Sequence, residues 1–178
     1  MRTQLKYRFR IAYAVLLIAL IGLPAIASAE TIFLNSELSG FQEVPSVASN
    51  ARGFFQAFLN TETQTLDYEL TYNDLSSAPN AAHIHFGQPG VNGGVVVFLC
   101  GAEGGQACPA TGTVSGSLSL QSIIGPADQG IAPGDFRSFL RAILAGATYA
   151  NVHTANFPTG EIRGQLNIDL DISPPIAE

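Results

Sequence analysis

Three histidines carry the most chemistry in this chain. His83 and His85 stand in Ala82-His83-Ile84-His85-Phe86-Gly87, and His153 stands in Asn151-Val152-His153-Thr154. In an extended strand, residues two apart project from one face with about 6.6 Å of rise between them, so His83 and His85 can turn toward a common point. Ala82, Ile84 and Phe86 then face the other way, as Val152 and Thr154 do relative to His153. If that apolar set faces the core, all three imidazoles lie on the outer face of a sheet. They meet there only if their two strands are neighbours or a loop brings them together. A His-x-His pair with a distant third imidazole suits one copper or zinc ion, both of which accept neutral imidazole and leave a position open on a three-ligand set. The same rings could instead hydrogen-bond to backbone or to Asn151, Glu161 and Arg163 and hold loops in place. Convergence of the three rings separates these readings.

Other reactive groupings are thinner. Cys100 and Cys108, the only cysteines, bracket a short Gly-rich loop. In an oxidising compartment so close a pair reads as a local disulfide, contributing about 2–3 kcal/mol. The spacing is not Cys-x-x-Cys, so a redox or thiolate-metal role is the weaker reading. Glu161 and Arg163 share a strand face and read as a surface ion pair, or, on the sharper reading, Arg163 guides an anion toward a metal. Asp169 and Asp171 also share a face, but two carboxylates are too few for a calcium site. No Gly-x-Ser-x-Gly elbow, phosphate loop or dinucleotide fingerprint occurs, which leaves nucleophilic hydrolysis and nucleotide chemistry without a local signature.

The elements that must position these residues are strands. Leu66, Tyr68, Leu70 and Tyr72 alternate with polar residues, as do Val114 to Leu120 and Ile162 to Leu170. Period two with one apolar face marks half-buried strands. Ile32 to Leu34, Gly53 to Leu59, Ala81 to Phe86, Val95 to Cys100 and Tyr149 to His153 complete about eight, separated by turn signals such as Gln88-Pro89-Gly90 and Asn92-Gly93-Gly94. Phe136, Phe139, Leu140, Ile143 and Leu144 follow a helical period, with Asp135 placed to cap and Gly146 to terminate. The pattern predicts an all-β, antiparallel, Greek-key-like β-sandwich or flattened barrel with one short helix. Residues 121–134, rich in Gly, Pro and Ala, read as a crossing loop.

The amino terminus has a different character. A basic stretch to Arg10, an apolar run from Ile11 to Leu23, Pro24 and the small-x-small site Ala27-Ser28-Ala29 form an export signal over residues 1–29. Cleavage there leaves 149 residues with four Arg against 14 acidic residues and no Lys, a formal charge of −10 rather than the whole chain's −6. So acidic a domain lacks the basic patch that nucleic acid or anionic lipid requires, and excludes both as partners. The expected organisation is a signal peptide, one domain over 30–172 and a frayed tail over 173–178. Its location is secreted or periplasmic, with no membrane association once the signal is cut.

Four motifs appear in order: Leu38-Ser39-Gly40-Phe41-Gln42-Glu43-Val44-Pro45; Ala82 to Gly87 with Gly93-Gly94-Val95-Val96-Val97; Gly146 to Thr154; and Pro158-Thr159-Gly160-Glu161-Ile162-Arg163-Gly164-Gln165-Leu166. Together they resemble the chordin-type (CHRD) domain, in the form of a bacterial single-domain exported member. The likeness runs from about Ile32 to Ile168. It implies an extracellular β-sandwich; in animal chordin such domains belong to a secreted antagonist of bone morphogenetic proteins. That binding activity does not follow for this chain, since a fold does not fix a function. The His-x-His strand and intrachain Cys pair are also similar to features of copper-zinc superoxide dismutase, whose two-metal site needs more than three His, so one ion is the ceiling here. The expectation is a noncatalytic exported binding or structural module meeting an extracellular protein or glycan. The alternative is a mononuclear copper or zinc protein, or metalloenzyme, built on His83, His85 and His153.

Overall fold

The computed structural model describes residues 30–103 and 105–169; the expected export signal, Asp171 and the expected frayed tail lie outside the described residues. The strands are β1 (Thr31–Ser39), β2 (Arg52–Asn60), β3 (Thr65–Asn73), β4 (Pro79–Phe86), β5 (Gly94–Cys100), β6 (Gly112–Leu118), β7 (Thr148–Thr154), β8 (Ile162–Gln165) and β9 (Asn167–Asp169), with one helix, α1 (Phe136–Leu144), ahead of β7. All pairings are antiparallel, in the order β5-β4-β7-β8-β1-β2-β3-β6, with β9 also on β1. The first three strands form a meander. The chain then crosses to the far side for β4 and β5, returns to β6 beside β3, and crosses again through α1 to β7. The sheet curls so that its two edges approach: the Tyr68 hydroxyl on β3 donates to the Leu99 carbonyl on β5, and the Tyr72 hydroxyl donates to the Pro109 carbonyl at 2.7 Å.

Alternation fills the space inside this curl. Leu34 and Leu38 from β1, Phe55 and Leu59 from β2, Leu70 from β3, Ile84 from β4, Val152 from β7 and Ile162 from β8 are fully buried in one core. Each such side chain contributes about 1.5–3 kcal/mol by leaving water. Helix α1 covers part of this core with Phe136, Phe139, Ala142 and Ile143. Its ends match the sequence expectation: Asp135 accepts from the Ser138 N–H at 3.0 Å, and Gly146 follows with φ of +64°, a left-handed conformation that costs glycine little.

Three details depart from the sequence pattern. The expected last strand is divided at Leu166 into β8 and β9, yet Ser39 faces Arg163 and Phe33 faces Asp169. Six residues separate each pair of positions, so the two pieces keep one register on β1. Two residues before the break, within β8, a Cβ on Gly164 would lie 2.2 Å from Ser36 Oγ and 2.4 Å from the Glu37 carbonyl oxygen, so only glycine permits the close approach. The crossing loop at 121–134 carries short 3-10 turns rather than plain coil. Most consequential is the outward face of β4, β7 and β8, which alternation alone assigns to water. All seven residues of β7 are buried, because the segments 40–51, 87–93 and 155–161 fold over that face and hydrogen-bond to it.

Cys100 and Cys108 form the expected disulfide, tying the end of β5 to the segment leading into β6. Among the described residues no strand ladder joins those two edges, so the covalent link reinforces a seam otherwise bridged by the Tyr68 and Tyr72 hydroxyls. Replacing both cysteines by serine is expected to lower unfolding free energy by about 2–3 kcal/mol with the circular dichroism spectrum retained. Urea denaturation checks this; an unchanged midpoint contradicts a stabilising role.

Candidate metal centre

Strands β4 and β7 are hydrogen-bonded neighbours, which satisfies the condition under which the three imidazoles meet. In their register His83 faces Asn151, His85 faces Tyr149 and Ala81 faces His153. His153 therefore lies diagonal to His83 on the same face, within reach of a side chain of that size. Two register irregularities on the other side of β4 set His83 against Phe98 and His85 against Val95. Ring centroids are 4.8 Å apart for His83 and His153, 5.3 Å for His83 and His85, and 5.7 Å for His85 and His153. One nitrogen from each ring lies within 4.8 Å of the others. Nitrogens sharing a metal ion at about 2.1 Å are about 3.4–3.6 Å apart, so binding requires the rings to draw together by roughly an ångström.

The three rings are more than nine-tenths buried. His85 Nδ1 lies 3.0 Å from the Gly93 carbonyl oxygen, and His153 Nδ1 lies 3.1 Å from that of Pro158. A carbonyl oxygen only accepts, so each Nδ1 carries its proton and each Nε2 presents a lone pair. Those two Nε2 atoms and both ring nitrogens of His83 are buried without a hydrogen-bond partner. Desolvation by burial, joined by repulsion from His153 and His85, lowers the His83 pKa to about 3. Desolvation lowers that of His85 to about 4 against the raising influence of its Gly93 bond, and also lowers that of His153. The neutral form that ligates metal is thus the resident form near neutrality.

A second polar layer surrounds the rings. Tyr149 stacks on His85 with centroids 4.8 Å apart and 4° between planes, and the Arg163 guanidinium lies 3.4 Å from the Tyr149 centroid. Arg163 donates to the carbonyls of Gln88 and Val91 at 3.1 and 3.0 Å and to Asn92 Oδ1 at 3.3 Å. Glu161 accepts from Ser49 Oγ, the Ser76 N–H and hydroxyl, and Thr154 Oγ1. Burial opposes its charge, but these bonds outweigh that and lower its pKa. Glu161 and Arg163 are therefore not the surface ion pair suggested by their positions. They are 0% and 2% exposed and satisfy separate loops. Glu43 accepts from Asn151 Nδ2 at 2.5 Å, and desolvation raises its pKa to about 7. Asp169, in β9 opposite Phe33, is no part of the His cluster.

Tyr149, Glu43, Phe98 and the two orienting carbonyls escape a sequence search for site residues. Tyr149 alone leaves a signal there, two and four positions before Asn151 and His153 on one strand face.

Fold and site define a disulfide-linked, curled antiparallel β domain with a buried three-His cluster beneath loops on its outer face. The CHRD domain family model matches residues 34–166, and the chain belongs to that family. No curated protein and no solved structure matches it. Among the described residues no helix is long and apolar enough to cross a membrane.

The buried histidines give the metal-free domain a defined acid response. Below pH 6.5 the unfolded chain binds protons on these three His that the folded protein refuses down to about pH 4 for His85 and about 3 for His83. Their effect on stability is therefore lost progressively as pH falls. Glu43 works the other way, keeping its proton in the folded state up to about pH 7 against 4.5 when unfolded, so its contribution fades as pH rises. Three groups outweigh one between pH 4.5 and 6.5, each net proton contributing about 1.4 kcal/mol per pH unit. Urea midpoints of metal-free protein are expected to fall from pH 6.5 to 4.5; a flat or rising profile contradicts the assignment.

Proposed function

We propose that this protein is an exported binding module whose ligand is a single copper or zinc ion held by His83, His85 and His153. The carrying observation is the set of four buried, unpartnered ring nitrogens in three converging imidazoles. A purely structural role accounts for the two Nδ1 contacts to loop carbonyls. It does not account for His83, which makes no hydrogen bond through either nitrogen. An unsatisfied buried polar group costs about 1–3 kcal/mol, a cost that a metal bond offsets and that loop support alone does not. Pinning Nδ1 to a carbonyl while Nε2 ligates is also the usual way proteins orient a metal-binding imidazole.

The disulfide supports an oxidising compartment, in keeping with the export signal and a secreted or periplasmic location. Nothing in the cluster resembles a nucleophile with its base. Arg163, the expected anion guide, is buried and donates to three loop acceptors, so a binding role is favoured over catalysis.

His83→Leu removes the ring with two unpaired nitrogens and leaves the oriented pair intact. Tag-free wild-type domain exposed to copper or zinc and then desalted is expected to carry about one equivalent by elemental analysis, and His83→Leu less than about a tenth of that. The metal-free variant is expected to unfold at the same or a higher urea concentration than metal-free wild type, because unmet polar groups are removed. Equal metal content in the two proteins, or none in either, contradicts the proposal.

A further inference from the structure

The groups around the cluster bear on the charge of the ion it holds. This inference rests on the three-His reading and asks which ion that centre takes. The candidate donor set is three neutral imidazoles. Among the described residues no anionic side chain joins it: both cysteines are in the disulfide, Glu161 is occupied by Ser49, Ser76 and Thr154, and Glu43 is bonded to Asn151. On the side of His85 the nearest formal charge in the stack is positive. The Arg163 guanidinium rests on Tyr149 and Tyr149 rests on His85, and the bonds from Arg163 to Gln88, Val91 and Asn92 hold that cation in place.

Moving an ion from water into a poorly polarisable interior costs energy in proportion to the square of its charge, so a divalent ion meets about four times the penalty of a monovalent one. An anionic ligand usually offsets that penalty, and here a fixed cation adds to it. Divalent zinc also takes a fourth ligand, commonly water at an open position, whereas the free nitrogens of this cluster are closed to solvent. Monovalent copper has a filled d shell, accepts two or three imidazole nitrogens and needs no water to complete its coordination. We propose that the His83, His85 and His153 centre selects monovalent copper, bound by three nitrogens, over divalent ions, with the Arg163–Tyr149 stack and the absence of a carboxylate ligand setting that preference.

Metal-free wild-type protein titrated anaerobically with the Cu(I)–bicinchoninate complex, and separately with Zn(II) against a chromophoric zinc chelator, measures the preference directly. Each titration is repeated on His83→Leu. The wild type is expected to take one Cu(I) with an affinity at least about 100-fold above that for Zn(II), and His83→Leu to lose that binding. Zinc bound at these histidines within tenfold of Cu(I), or more tightly, overturns the selectivity and leaves the three-His centre standing. Failure of both ions to bind, or equal binding by His83→Leu, removes the centre and the selectivity with it.

Discussion

The site depends on two hydrogen bonds from imidazole to loop carbonyls. Because a carbonyl only accepts, the Gly93 and Pro158 oxygens fix the Nδ1–H tautomer of His85 and His153 and direct both Nε2 lone pairs away from the loops. The surrounding structure keeps those oxygens in place. A Cβ at Gly93 would fall 1.7 Å from the Phe86 carbonyl oxygen, so only glycine fits where that loop closes, and its N–H donates to the Tyr149 hydroxyl. Arg163 binds the carbonyls of Gln88 and Val91 in the same loop. The Pro158 turn ends at Gly160, whose φ of +130° lies outside the range of other residues and whose missing side chain leaves room for Glu43 and Asn151.

The two faces of the sheet follow different rules. Inside the curl, apolar residues pack as in any half-buried sheet and account for stability. Outside β4, β7 and β8, polar side chains are buried beneath loops and nearly all are satisfied, often by backbone. The exceptions are concentrated. Of the six buried side-chain polar atoms without a partner among the described residues, four are ring nitrogens of His83, His85 and His153. A fold that bonds Arg163 and Glu161 while leaving one His triad unmet has placed its deficit where a metal ion can take one nitrogen from each ring.

Much of this was legible in the sequence because period two survives wherever one strand face is apolar. The helix boundaries, the disulfide and the shared face of His83 and His85 followed from alternation, capping and spacing. The adjacency of β4 and β7 did not, since 61 residues separate the end of β4 from the start of β7 and pairing over that distance depends on tertiary contacts. Burial of the outer face was hidden for a related reason. Glu161 and Arg163 look like surface charges in a strand pattern, and only the loops folded over them supply the acceptors and donors that permit burial. The break at Leu166 was invisible too, because β8 and β9 share one alternation and one register.

Metal binding here turns on proton and lone-pair placement on three imidazoles. Long-range proton–nitrogen NMR of uniformly nitrogen-15-labelled, metal-free protein at pH 7 reads both directly. All three His are expected to be neutral, with His85 and His153 as Nδ1–H tautomers whose Nε2 shifts move when a metal is added. Nε2–H tautomers at those two positions, or three rings that titrate near the ordinary pH of 6.5 and ignore added metal, would contradict it.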